Sequence, residues 1–199
     1  MKPTEVLKAE HRVIEQVLNC LEVMTDRACV DGRLDGATAR DVIDFFRNFA
    51  DGCHHAKEEE HFFPMLEQYG FDPDQGPTAV MRTEHHIGRL HLRGMEANLV
   101  AAAAGDPDAL TRFADQAWAF IKLLREHIQK EDQRLFAMAD RFLNPQVQGL
   151  LLLRFEEAER GQEPGKHQHY LALADSLAER FGVPRAATTT AHTCSHARR

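Results

Sequence analysis

His54-His55-Ala56-Lys57-Glu58-Glu59-Glu60-His61-Phe62-Phe63-Pro64 is the stretch whose reading decides the fold. It lies within a longer run, from about Thr38 to Tyr69, rich in helix-forming residues. No alternation of apolar and polar residues marks a strand there. On a helix His54 and Glu58 share one face, about 40° apart, and so do His55 and Glu59. The residues upstream choose between the two pairs. Stepping back from His54 by 4, 8 and 11 positions meets Ala50, Phe46 and Ile43, an apolar stripe. Stepping back from His55 by 4, 7 and 11 meets Asp51, Asn48 and Asp44, a polar one. The pattern turns His54 and Glu58 inward, and His55 and Glu59 toward water.

The same arrangement recurs further along, in the stripe Phe120, Leu123, His127, Glu131, Leu135, Met138. Two other segments carry a histidine where an apolar residue belongs. One is Leu7, His11, Ile14, Leu18, Leu21; the other is Met81, His85, Gly88, Leu92, Met95, Leu99. Each stripe has the spacing of a helix face turned to a core. Four histidines and two glutamates therefore converge. A lone core histidine is commonly satisfied by backbone or water. A buried, unpaired carboxylate costs several kcal/mol or takes up a proton. No matching set of lysines or arginines sits on the stripes, and metal ions would neutralise them. Imidazole with carboxylate suits borderline cations, chiefly iron, with zinc or manganese as substitutes. Two cations about 3.5–4 Å apart can share carboxylates drawn from several helices.

The chain reads as all-α throughout. Helices are expected at about Thr4–Arg27 (Thr4 as N-cap), Thr38–Tyr69, Gly76-Pro77 to Ala104, and Asp108–Phe142. Gly32 and Gly36, Gly70-Phe71-Asp72-Pro73, Gly105-Asp106-Pro107 and Asn144-Pro145 break them. Long helices with short loops predict an up-down-up-down four-helix bundle over 1–145. One or two extra helices, about Val147–Arg160 and Lys166–Phe181, form a C-terminal extension over 146–183 that packs on the bundle. The tail, 184–199, is expected to be disordered.

Composition narrows the function. Against 24 Lys+Arg stand 31 Asp+Glu, a formal net charge of −7, which excludes a broad basic face for nucleic acid. No apolar run approaches the roughly 20 residues of a membrane span. Met1-Lys2-Pro3-Thr4-Glu5 lacks a signal-peptide core, so the cytoplasm is expected. Cys20, Cys29, Cys53 and Cys194 form no C-x-x-C pair, so neither a disulfide framework nor a zinc ribbon is indicated. Cys20 and Cys53 read as small core residues.

With these residues in view, the sequence resembles the hemerythrin-like, or HHE cation-binding, family over about residues 5–140. His54 to Pro64 is similar to that family's HHxxEExxLFP segment, and His127-Ile128-Gln129-Lys130-Glu131-Asp132 to its HxxKE segment. Glu84-His85 followed by Gly88-Arg89 adds a third match. The resemblance implies a non-haem di-iron centre, oxo- or hydroxo-bridged. It implies His11, His54, His85 and His127 as terminal ligands, with Glu58 and Glu131 bridging. Oxygen-carrying members have a second histidine four residues after the one matched by His85, where this chain has Arg89. His91 is the candidate fifth histidine, if a π-bulge near Gly88 swings it inward. Asp132 sits at the oxygen carriers' aspartate position, but the stripe favours Glu131.

Other signals weigh less. Glu58-x-x-His61 has a ferritin-like spacing with no second copy, which leaves His61 beside the site or at the surface. His86, His167 and His169 are expected to meet solvent. His192-Thr193-Cys194-Ser195-His196 offers a soft metal too few ligands for a lasting site. The functional expectation is a di-iron protein that binds or reduces O2, peroxide or nitric oxide, as a monomer or weak dimer. Reduction would make it a peroxide- or nitric-oxide-consuming oxidoreductase. The alternatives are an iron donor for repair of damaged iron centres and an O2- or redox-sensing module without turnover.

Overall fold

Four helices open on a proline: Pro3, Pro77, Pro107 and Pro145. Proline's fixed φ suits the first turn, where its missing N–H would be unpaired in any case. The structure is a computed structural model describing residues 1–186. The described residues are all-helical, with no strand. Helix α1 is Pro3–Asp31. Helix α2 spans 36–68: an α-helix at Gly36–Phe45, π-helical turns at Phe46–His55 and Glu58–Phe62, and an α-helix again at Phe63–Gln68. Helix α3 is Pro77–Ala103. Helix α4 spans 107–142, with a π-helical turn at Glu131–Leu135 between Pro107–Lys130 and Phe136–Phe142. Helices α5, Pro145–Arg160, and α6, Lys166–Phe181, follow. The expected tail falls, from residue 187 on, outside the described residues, and with it His192, Cys194 and His196.

Side chains close the orphan amides of the helix starts. Asp35 accepts from the Ala37 and Thr38 amides, Asp106 from Asp108 and Ala109, and Asn144 from Val147. Thr4 is not the N-cap of α1. The helix begins one residue earlier, the Lys2 amide donates to the Glu5 carboxylate at 2.7 Å, and the Thr4 hydroxyl donates to Asp140 of α4 at 2.8 Å. Gly32 ends α1 in the left-handed region, φ 63°.

Helices α1 to α4 are neighbours in a ring: α1 packs on α2, α2 on α3, α3 on α4 and α4 on α1. Helices α5 and α6 each lie against α1 and α2. The apolar interior falls into two clusters. One holds Ile14, Phe46, Leu92, Phe120 and Leu124 with their neighbours. The other holds Leu7, Phe62, Phe63, Met81, Leu135 and Phe136, and α5 adds Leu151 and Phe155. Between them each ring helix contributes polar residues: His11 on α1, His54, His55 and Glu58 on α2, His85 on α3, His127 and Glu131 on α4, all buried. No helix among the described residues is long and apolar enough to cross a membrane.

Candidate metal centre

The π-helical turns set this polar layer. Hydrogen bonding from i to i+5 widens the turn, so adjacent residues can both face inward. His54 is 0% exposed and His55 7%, which overturns the expectation that His55 faces water. That expectation assumed 3.6 residues per turn, a period that Phe46–His55 does not keep. The second widened turn precedes Pro64. The Phe63 amide reaches back to the Glu58 carbonyl, and the wide turn relieves the clash that a proline ring makes with an α-helical carbonyl. In α4 the Phe136 amide reaches Glu131 in the same way.

The donors gather in two groups. His11, His54, Glu58 and Glu131 each offer one atom within 4.8 Å of the others, and so do His55, Glu58, His85 and His127. Glu58 serves both groups: its Oε1 lies 3.6 Å from His54 Nε2, its Oε2 3.5 Å from His85 Nε2. Glu131 Oε2 lies 3.2 Å from His11 Nε2 and 3.3 Å from His127 Nε2. Both carboxylates stand between a histidine of one group and a histidine of the other.

Each ring turns Nδ1 onto a carboxylate. His11 donates to Asp132 at 2.8 Å, His54 to Glu10 at 3.0 Å, His55 to Asp51 at 3.4 Å, His85 to Glu59 at 2.7 Å and His127 to Glu84 at 3.0 Å. An ionised carboxylate only accepts, so Nδ1 carries a proton and Nε2 is the ring atom turned to the interior. Against burial, Glu131 and Glu84 push His127 up to about 9, and Asp132 and Glu131 raise His11. Such partners fix a metal-binding ring's orientation and raise its basicity. Behind the carboxylates stand cations: Arg12 on Asp132, Lys57 on Glu10, Arg89 on Asp51 and Glu59, Lys130 on Glu84. Lys57 is buried, a cation the stripes did not reveal. Burial works against the ionised Glu10, yet Lys57 and His54 hold its carboxyl down at about 2.

Charge in the layer is strained without a cation. Burial pushes the Glu58 carboxyl well above the ordinary range, reinforced by Glu131 beside it. Glu131, equally buried, is held well below that range by His127 and His11. Burial pushes His54, His55 and His85 toward the neutral form. His11 Nε2, His54 Nε2 and both carboxylate oxygens of Glu58 and Glu131 are buried without a hydrogen-bond partner. Buried polar atoms rarely stay so. Nitrogen and carboxylate donors converging in a buried interior fit a borderline metal cation, which would satisfy all of them together.

His91 lies elsewhere. Helix α3 stays regular across Gly88, and half-buried His91 donates from Nδ1 to Gln116 Oε1 at 2.9 Å, outside both donor groups. A bulge at Gly88, the condition for His91 to turn inward, is absent; the widened turns are in α2 and α4. Arg89 is not a donor either, and it pairs with Asp51 and Glu59. His61 is half-buried beside Phe155, and His86 and His169 are exposed. His167 is half-buried against Phe49 rather than solvated.

The hemerythrin HHE cation-binding domain matches residues 2–139, and the chain belongs to that family. It is similar to an uncharacterized protein of Mycobacterium tuberculosis (strain ATCC 25618 / H37Rv) and to one of Mycobacterium bovis. Each is 31% identical over 132 residues, which cover 66% of this chain and 51% of the relative. The chain thus spans about half the length of the curated relatives it matches. No solved structure matches it. Domains of this family bind metal cations, and the His/Glu groups described above can hold them.

Proposed function

We propose that the chain is a non-haem di-iron protein that binds or reduces a small oxidant, O2, peroxide or nitric oxide, at the polar layer. The observation that carries this reading is the set of buried imidazole nitrogens and carboxylate oxygens left without partners. In this reading residues 1–145 form an up-down-up-down four-helix bundle and 146–183 an extension packed on it. His11 and His54 would hold one ion and His55, His85 and His127 the other, with Glu58 and Glu131 available to both. His55 supplies the nitrogen that Arg89 removes from α3, so neither ion is short of a ligand on that account. Zinc or manganese would satisfy the same donors.

Iron held there would supply one-electron redox changes and Lewis acidity toward a diatomic or peroxide ligand. The chain's own residues hold and seal it. Asp132, Glu10, Asp51, Glu59 and Glu84 fix the five rings through Nδ1. Phe136 stacks on His11 and Phe63 on His85, closing the layer with apolar faces. Every donor is buried, so the reactant must be small. The test is iron content after purification without chelators, with ultraviolet-visible spectra before and after O2, peroxide or nitric oxide. About two irons per chain are expected. An oxygenated form that releases O2 under vacuum assigns binding, and consumption of peroxide or nitric oxide assigns reduction. Absence of bound metal, with spectra unmoved by all three, overturns the reading.

A further inference from the structure

Arg89 occupies the place where the oxygen carriers have a histidine, and the structure gives it a different task. Its Nε donates to Asp51 Oδ1 at 2.8 Å and its Nη2 to Glu59 Oε1 at 2.9 Å. Those are the two oxygens that receive His55 Nδ1, at 3.4 Å, and His85 Nδ1, at 2.7 Å. The His55 and His85 rings stack, centroids 3.8 Å apart and planes 17° from parallel. Each remaining donor histidine has its own cation behind its own carboxylate: Arg12 for His11, Lys57 for His54, Lys130 for His127. One guanidinium thus holds both carboxylates that orient one stacked imidazole pair. A guanidinium's planar fork fixes the angle between two acceptors, which a lysine's rotatable ammonium does not. Both histidines belong to the same donor group.

We propose that Arg89 is a positioning residue for one metal of the pair: through Asp51 and Glu59 it sets the orientation of His55 and His85, and so that ion's affinity and spectrum, without touching it. The proposal rests on the di-iron reading. Outer partners of metal-bound histidines typically contribute 10–100-fold to metal affinity.

The experiment titrates ferrous iron anaerobically into the full metal-free chain and into Arg89→Ala, Arg89→Lys and Arg12→Ala. Mössbauer spectra of the loaded forms resolve the two ions. Arg89→Ala should weaken one ion about 10–100-fold and alter its signals alone. Arg89→Lys should recover part of the loss, and Arg12→Ala should act on the other ion. Circular dichroism of the metal-free variants should match the wild type, because Arg89 lies at the surface of the layer. Should Arg89→Ala not fold, Glu59→Gln removes the charge under His85 and should weaken the same ion. Wild-type affinity and spectrum in folded Arg89→Ala, or equal weakening of both ions, overturns the proposal and leaves the di-iron reading intact. A wild-type chain that binds no iron overturns both.

Discussion

The two donor groups share Glu58 but differ in what lies behind them. On the side of His11 and His54, Glu10 is pinned by Lys57, and Lys57 also reaches Glu159 of α5 at 2.9 Å. That ammonium is 2% exposed. On the side of His55, His85 and His127, the backing cations Arg89 and Lys130 are 31% and 36% exposed. The layering is the same on both sides: imidazole, carboxylate, cation. Depth changes the energetics. A buried pair is expensive to break because it leaves a charge without solvent or partner, whereas a pair near water gives back little when it is lost. The His54 arm of the first group is therefore tied to the fold itself, and to α5, whereas its His11 arm ends on Arg12, 45% exposed, as the second group's arms end on half-exposed cations. The second is tied to its surroundings by bonds that can be altered while the fold persists.

Removing what the groups share should have the largest effect. Glu58→Ala takes a donor from both, and both ions should be lost. Metal that binds only the folded state stabilises it by about 4 kcal/mol at a thousandfold excess over its dissociation constant. For a chain of this size that is a melting temperature higher by roughly 8–16 °C. The wild type should show this difference with and without chelator, and Glu58→Ala should not. Retention of one tightly bound ion by Glu58→Ala would show that the groups are independent.

Depth is tested next, with chelator present so that metal plays no part. Lys57→Met leaves Glu10 buried without its cation and should cost about 3 kcal/mol or more. Lys130→Met breaks a half-exposed pair with Glu84 and should cost under about 1 kcal/mol. Denaturant unfolding measures both. Equal costs would remove the distinction between a deep side and a shallow one.

Much of this was legible before the structure. Stripes at helical spacing bring out His11, His54, Glu58, His85, His127 and Glu131, because α1, α3 and most of α4 keep the regular period. The same arithmetic failed at His55, since it carried an α-helical period into a stretch that is π-helical. It also offered a bulge at Gly88 of α3 as the way His91 could turn inward, whereas α3 is regular there. The widened turn came at Phe46–His55, around Gly52, where two adjacent histidines already stood. Lys57 escaped for a related reason. It lies three residues beyond His54, and its partner Glu10 precedes His11 on another helix, so neither falls on a stripe read alone. A buried Lys–Glu pair is a tertiary fact. The cue in the sequence was only that Glu10 and Lys57 each stand close to a candidate ligand.

The smallest expected effect sharpens the comparison by separating two histidines, His55 inside a donor group and His91 outside both. His55→Ala removes a donor from the second group alone. It should lower the affinity of one ion, leave the other in place, and reduce the metal-linked gain in melting temperature without abolishing it. His91→Ala removes only a hydrogen bond to half-buried Gln116, so its cost in stability should be about 1 kcal/mol. Iron content and the visible spectrum should not change, because α3 carries His91 away from the layer and no other donor depends on it. Iron titration with spectra on both variants decides the matter. Loss of an ion from His91→Ala, with His55→Ala retaining both, would mean that α3 rearranges on metal binding and that the second group is assembled differently from the way it stands here.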